Sequence, residues 1–357
     1  MREQAETGQA AQGALVAMSG GVDSSVAACL ALEAGYRCLG VTMRLFSDND
    51  RDIEDAASAA SALGIPHEPI DCMADFREKV INRFIATYEA GGTPNPCVDC
   101  NRHLKFGRLL DTARERGLGF VVTGHYARIE RGESGRWLLR KGADPERDQS
   151  YVLCMLTQEQ LAHTLLPLGV MTKARVRELA AARGLANASK RDSQDSWFVP
   201  DGDYAAFMER YTGRRSPPGD FVDGDGRVLG RHRGIVRYTV GQRKGLGIAG
   251  PAPLYVEAIH PDTNTITLTH GEGLLARAVV AQDFNLISVP SLERPMTLKA
   301  KVRYRQEERP AVASLTPEGL RVEFLEPQRA PAAGQTVMLC DGDVVVGGGI
   351  ISAVERL

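Results

Sequence analysis

The first half of the chain alternates short apolar runs with longer stretches whose apolar residues recur every three or four positions. Short apolar runs bounded by turn residues read as buried strands, and the longer recurrence reads as amphipathic helix. On that basis Ala14–Met18, Leu39–Met43, Pro66–Ile70 and Phe120–Thr123 are expected strands. Helices are expected over about Ser24–Ala34, Asp52–Leu63 and Phe76–Glu89. Strands that alternate with helices build βαβ units, hence a parallel sheet covered on both faces. Ligands of such sheets lie at the carboxyl ends of the strands.

Beyond about Asp203 the texture changes to short alternating segments: Gly234–Val240, Pro253–His260, Asn264–His270, Thr297–Tyr304, Arg321–Phe324 and Thr336–Leu339. Turn pairs such as Asp225-Gly226, Pro261-Asp262 and Asp341-Gly342 separate them. This is an all-β pattern and is read as two small modules that divide near Val279–Ala281. The expected organisation is a polar, disordered tail over 1–12, an α/β domain over 13–203, a central β domain over 204–280 and a C-terminal β-barrel over 281–357.

A chain of 357 residues exceeds what one core usually organises, in keeping with that division. Apolar residues make up 43% and charged residues 25%, as in ordinary globular proteins. A net charge of -2 excludes a globally basic nucleic-acid binder but leaves room for a local basic face. No apolar run reaches membrane-spanning length, and Met1–Gln12 lacks the layout of a signal peptide. Seven scattered cysteines, an odd number without an export signal, suit reduced thiols in a cytoplasm.

The first candidate chemistry lies after the first strand, at Ser19-Gly20-Gly21-Val22-Asp23-Ser24-Ser25. Two glycines let the backbone turn tightly and present N–H groups to a phosphate, and the next helix aims its N-terminal dipole at the same anion. The hydroxyls of Ser19, Ser24 and Ser25 are expected to add donors. Asp23 would be repelled by bare phosphate, so a Mg²⁺ bridge from Asp23 to the pyrophosphate is expected. The run lacks the Lys-Ser/Thr of a Walker loop and the spacing of a dinucleotide loop. The bland alternative is a Gly-Gly turn with capping serines.

The heptapeptide resembles the loop of the ATP pyrophosphatases, which split ATP into AMP and pyrophosphate. Further blocks follow: Gly92-Thr93-Pro94-Asn95-Pro96-Cys97-Val98-Asp99-Cys100-Asn101, Thr123-Gly124-His125-Tyr126, Asp148-Gln149-Ser150-Tyr151, Arg191-Asp192-Ser193-Gln194, Gly241-Gln242-Arg243-Lys244-Gly245-Leu246-Gly247 and Arg303-Tyr304-Arg305. In this order they resemble the bacterial tRNA-specific 2-thiouridylases over nearly the whole chain. The resemblance implies a Rossmann-like (adenine nucleotide alpha hydrolase-like) α/β domain followed by two all-β modules. It implies that ATP adenylates the C2 oxygen of a wobble uridine in tRNA and that a persulfide then delivers sulfur. The donor would be a sulfur relay fed by a cysteine desulfurase, or free sulfide. Ala17, Met18, Ser19, Gly20, Gly21, Val22, Asp23, Ser24, Met43 and Gly124 would hold ATP. Asn95, Pro96 and Cys97 would line the target base, and His125, Arg147, Asp148, Gln149, Arg303, Tyr304 and Gln335 would touch tRNA.

Independent of that resemblance, Arg227, Arg231, Arg233, Arg237, Arg243 and Lys244 fall in a stretch without an acid. Lys299, Lys301, Arg303 and Arg305 are spaced two apart, which on a strand puts them on one face and suggests a phosphate-tracking surface. Solvated strand faces are the alternative for each.

Cys100 aligns with the family's catalytic cysteine, and Arg102, His103 and Lys105 follow it as candidate thiolate stabilisers. The family's second cysteine, the persulfide carrier, corresponds to Trp197 here. Four readings stay open. Cys97 replaces it as the second catalytic thiol; Cys97 and Cys100 share in a metal or iron–sulfur site, although two ligands fall short of the usual four; both are inert loop cysteines; or the chain binds ATP and tRNA without thiolating. An ATP pyrophosphatase acting on a small metabolite would have no use for the β modules. Cys29, Cys38, Cys72, Cys154 and Cys340 read as small hydrophobes.

Overall fold

The computed structural model describes residues 12–46, 50–185, 198–199, 202–249 and 252–357. The expected tail up to residue 11, and the segment from Arg191 to Trp197, lie outside the described residues. The chain divides into two compact units, and neither is continuous in sequence. The first comprises Met1–Arg77 with Cys100–Ser193; the second comprises Glu78–Asp99 with Gln194–Leu357.

The first unit is built on a parallel sheet of β1 (Gly13–Ala17), β2 (Arg37–Arg44), β3 (His67–Asp71), β4 (Phe120–Val122) and β7 (Thr164–Leu165), in the order β3-β2-β1-β4-β7. In β1, Leu15 lies opposite Leu39 on one side and Val121 on the other. Both neighbours of β1 are occupied, so Ala14, Leu15 and Val16 are fully buried, as an unbroken apolar run requires. Helix α1 (Val22–Glu33) covers the sheet with an almost wholly apolar surface, and α2 (Asp50–Ala62) contributes a stripe of Ala56, Ala59 and Ala60. An antiparallel hairpin, β5 (Ala127–Arg131) and β6 (Trp137–Lys141), follows β4. The strand order reverses between β1 and β4, the switch point beyond whose carboxyl ends open α/β sheets take their ligands.

The second unit holds a mixed four-stranded sheet, in which β8 (Gly219–Val222), β9 (Val228–His232), β10 (Tyr255–His260) and β11 (Thr265–Thr269) take the order β10-β11-β8-β9. It also holds β12 (Leu275–Leu286), β13 (Met296–Lys301), β14 (Arg309–Thr316), β15 (Gly319–Arg329), β16 (Thr336–Asp341) and β17 (Val344–Arg356). These six pair antiparallel as β12-β15-β14-β13-β16-β17, and β12 pairs with β17 to close a barrel. Closure leaves no free edge, and Val279, Leu298, Val322, Val337 and Ile351 fill the interior. Among the described residues, no helix is long and apolar enough to cross a membrane.

Several expectations need correction. Gly234–Val240 is not a strand: Gly234 has φ +108° and donates its N–H to His232 Nδ1, and Ile235–Arg237 is a 3-10 turn. Ile235 and Val236 are both buried although adjacent, which a strand facing one core does not allow. The expected helix Phe76–Glu89 contains a π-helical turn, Arg77–Ile81, and the unit boundary passes through it. The basic row does not share one strand face. β13 ends at Lys301, whose buried Nζ donates to the Tyr304 carbonyl, and residues 302–305 form bends and turns.

Phe84, 2% exposed, is the hub of an aromatic cluster in the second unit, with ring centroids 4.9 Å from Tyr88, 5.3 Å from Phe198 and 5.7 Å from Tyr204. Phe84→Ala is expected to lose about 3–5 kcal/mol of this unit's stability, read as a lowered urea midpoint.

Candidate active site

The candidate nucleotide loop joins β1 to α1 in the first unit. Gly20 has φ +70°, and a Cβ there would lie 2.9 Å from the Asp52 carbonyl oxygen, so both backbone and space demand glycine. Gly21 is the N-cap of α1 and supplies no side-chain acceptor to the first-turn N–H groups. Ser24 Oγ donates to the Gly21 carbonyl at 3.0 Å and accepts from Ser19 N–H at 3.2 Å, and Ser25 Oγ donates to the same carbonyl at 3.1 Å. The hydroxyl protons of Ser24 and Ser25 therefore brace the loop; Ser19 is the exposed serine of the three. Met18 and Val22 are buried, and Met18 N–H donates to the Val41 carbonyl at 2.8 Å. Gly124, at the end of β4, packs so closely that a Cβ would sit 2.8 Å from the Asp23 carbonyl carbon and 2.9 Å from Ser24 N. Two strand ends thus meet at the first turn of α1. Met43 is half-buried near the end of β2, and the neighbouring Thr42 Oγ1 donates to the Met18 carbonyl at 2.8 Å.

Asp23 is held by the protein itself. Lys173 Nζ donates to both of its carboxylate oxygens at 2.8 Å, and Tyr126 Oη donates to Oδ1 at 2.7 Å. Among the described residues, no three His, Cys, Asp or Glu side chains cluster as a metal site. A Mg²⁺ that rides on substrate phosphates needs only one or two protein carboxylates, and Asp23 fits that donor set.

Beside this network, Gln149 exchanges hydrogen bonds with Tyr126: its Oε1 accepts from Tyr126 N–H and its N–H donates to the Tyr126 carbonyl, each at 2.9 Å. Asp148 accepts from Gly142 N–H, Ser150 N–H and Ser150 Oγ. Arg147 is half-buried. His125 is 7% exposed and shares a 2.7 Å hydrogen bond between Nδ1 and Thr123 Oγ1. Burial, reinforced by the charge of Lys105, holds its imidazole well below the usual histidine range, so the ring is neutral at pH 7.

Cys100 opens a nine-residue π-helix, Cys100–Arg108. Its buried positions, Cys100 and Asn101, Leu104 and Phe106, then Leu109 and Leu110, repeat every four to five residues. An α-helical period would turn Arg108 inward instead, so the apolar spacing favours the wider turn. A Cβ on Gly107 would lie 3.2 Å from the Arg102 carbonyl, where little room remains. Gln160 pins the register: its Nε2 donates to the Arg102 and Phe106 carbonyls at 2.9 and 3.0 Å, while its Oε1 accepts from Thr157 N–H. Burial pushes the Cys72 thiol up to about 11, and Cys100 is among the lesser charges that add to the shift.

The second unit carries the Pro-Asn-Pro loop. Thr93 N–H donates to the Ala333 carbonyl at 2.7 Å, and Gln335 Nε2 donates to the Thr93 carbonyl at 2.9 Å. Asn95 accepts Val98 N–H at the start of the helical turn Pro96–Asp99, on which Cys97 is exposed. Arg303 donates to the Val240 and Ala330 carbonyls, and Tyr304 is half-buried in the adjoining turn. The structure thus groups Asn95, Pro96, Cys97, Arg303, Tyr304 and Gln335 in one unit, and His125, Arg147, Asp148 and Gln149 in the other. Of the basic stretch, Arg227, Arg231 and Arg237 are ion-paired with Asp225, Asp220 and Glu209. Arg243 and Lys244 stand exposed on a turn built from glycines with positive φ.

Three family profiles match in series: the tRNA methyl transferase HUP domain over residues 12–201, the tRNA methyl transferase PRC-barrel domain over 205–270, and the aminomethyltransferase beta-barrel domain over 276–351. The tRNA-specific 2-thiouridylase MnmA of Clostridioides difficile (strain 630) is 47% identical over 350 residues, 94% of this chain and 97% of that protein. This chain belongs to the tRNA-specific 2-thiouridylase family. The relative of the same name in Acetivibrio thermocellus is 46% identical over 94% of this chain and 98% of its own length. Among solved structures, the U34-tRNA thiolase NcsA from Methanococcus maripaludis, with its 4Fe–4S cluster, matches 57% of this chain and 68% of that one at 17% identity and TM-score 0.37. So distant a likeness decides nothing further.

Sequence reading of the thiouridylase blocks missed Lys173, Tyr126 as a partner of Asp23, and Gln160. The available signal for Lys173 was its position directly after the helix cap Thr172, where a cation opposes the helix dipole. Gln160→Ala is expected to lose about 1–3 kcal/mol, and to speed iodoacetamide labelling of Cys100, mapped by peptide mass, while the already exposed Cys97 is labelled as before.

Proposed function

We propose that this protein thiolates the C2 position of the wobble uridine of tRNA at the expense of ATP, in the cytoplasm. The observation that carries the nucleotide half is the glycine loop at the strand reversal. There the glycine loop and the first turn of α1 offer N–H groups to phosphate, and Gly124 closes the other side. ATP lies with its phosphates on Ser19–Ser24, and Asp23 would hold a Mg²⁺ that supplies charge neutralisation there. The uridine O2 attacks the α-phosphate and pyrophosphate leaves, so that O2 departs later as part of AMP.

The sulfur half rests on exposure. Cys97 is exposed and Cys100 is buried, so Cys97 is the thiol that a sulfur-relay protein can reach. A persulfide on Cys97 attacks C2 with its outer sulfur and AMP leaves. Cys100 thiolate then attacks the inner sulfur, which forms a Cys97–Cys100 disulfide and releases the thiocarbonyl. An external thiol reduces the pair. The Pro94 and Pro96 rings stiffen the loop that would receive the flipped base, with Gln335 bracing its carbonyls. An iron–sulfur cluster does not fit the described residues, since no third ligand joins two thiols there, and no step passes through one. Trp197, in place of the family's carrier cysteine, favours as the second reading a homologue that binds ATP and tRNA without thiolating.

Mass spectrometry of wobble nucleosides, from tRNA incubated with ATP, Mg²⁺ and a persulfide donor, separates these readings. The wild type is expected to form 2-thiouridine, and Cys100→Ser and Cys97→Ser to form none. Full activity of Cys97→Ser removes it as carrier, and tRNA binding without any thionucleoside, in persulfide or sulfide, establishes the second reading. Replacing both Arg243 and Lys244 with Ala is expected to weaken tRNA binding and reduce the slope of log affinity against log salt by about two.

A further inference from the structure

Lys173 is 7% exposed, and its helix, Lys173–Ala182, begins with it. Both facts count against a cation. Burial removes water from the ammonium, and the N-terminus of a helix carries the positive end of the dipole. The Nζ of this lysine points at Asp23, in the first turn of α1, whose own N-terminus faces the phosphate position. It also lies 5.9 Å from the Tyr126 ring centroid, and Tyr126 Oη holds Asp23 in turn. A neutral pair, or two apolar side chains, would tie the two helices at less electrostatic cost. The ammonium cancels the charge of Asp23, so the positive ends of the two helix dipoles are left to set the potential at the loop. Two helix N-termini and an ammonium converge there, against the single negative charge of Asp23.

We propose that Lys173 is a further ATP-binding residue of this site: its ammonium contacts the phosphate chain, and Asp23 with Tyr126 keeps it aimed there. The inference rests on the ATP reading above and extends it to a residue 150 positions beyond the loop acid. Both carboxylate oxygens of Asp23 accept from this ammonium. A phosphate oxygen beside Asp23 meets the same ammonium, whereas adenosine, lacking phosphate, does not. A purely structural lysine, tethering helix to helix, would affect ATP and adenosine alike.

The test is direct binding of ATP and of adenosine, by equilibrium dialysis, to full-length protein in Mg²⁺ and in EDTA. Losing a charge-assisted hydrogen bond to phosphate should weaken ATP binding by Lys173→Met about tenfold or more in EDTA, with adenosine changed less than about twofold. Because Lys173→Met strips the part-exposed Asp23 carboxylate of its ammonium partner, the decisive pair is Asp23→Asn against Asp23→Asn with Lys173→Met. The same loss of ATP affinity within that neutral background supports the contact, and it remains measurable if the single variant unfolds. An unchanged ATP affinity there means that the lysine only neutralises Asp23, which overturns the inference. Equal weakening of ATP and adenosine overturns it as well. Wild-type protein that binds ATP in neither buffer sinks the nucleotide reading itself.

Discussion

The constraint on which the proposed nucleotide site depends is steric contact between two strand ends and one helix turn. β1 and β4 are neighbours in the sheet, and the chain leaves them in a region where the strand order reverses. Gly20 cannot carry a side chain because α2 presses on it, and Gly124 cannot because α1 does. With both Cβ atoms absent, α2 packs directly on the loop and the end of β4 on the first turn of α1, whose N–H groups the helix cannot satisfy internally. The serines then take a supporting part. Their hydroxyls hold the Gly21 carbonyl and keep the turn fixed.

Charge at this site is balanced over long sequence distances. Asp23 comes from the start of the chain, Tyr126 from the end of β4 and Lys173 from a helix far beyond it. The two helix N-termini and the ammonium favour an anion, and Asp23 tempers that potential while no nucleotide is bound. The neutral, buried His125 adds no charge to the same neighbourhood.

The cysteine loop is governed by a different economy, that of helical register. The π-helical period from Cys100 keeps Cys100 inside while Arg102, Lys105 and Arg108 stay at least partly accessible. Such a register is strained in isolation, and the side chain of Gln160 stabilises it by satisfying two carbonyls at once. Cys97, on the preceding helical turn, escapes that burial. The division between an accessible and a protected thiol follows from register, within four residues of chain.

The sequence by itself determined what depends on local pattern. Buried strands such as Ala14–Met18 are apolar throughout, the Gly-Gly pair permits the positive φ that the tight turn at Gly20 takes, and alternation in the C-terminal third marks strands of the barrel. These are short-range consequences of sterics and periodicity, so they are legible in one dimension. Tertiary structure decided the rest. It dismantled the basic row by ending β13 at Lys301 and turning Arg303 onto two carbonyls, and it folded Gly234–Val240 into a turn. It joined residues 78–99 to the C-terminal unit, where Gln335 grips the Pro-Asn-Pro loop across more than two hundred residues. It brought Lys173 to Asp23. Each of these is a pairing of polar groups distant in sequence, and no local spacing encodes it, because the partner is chosen by which surfaces the core brings together.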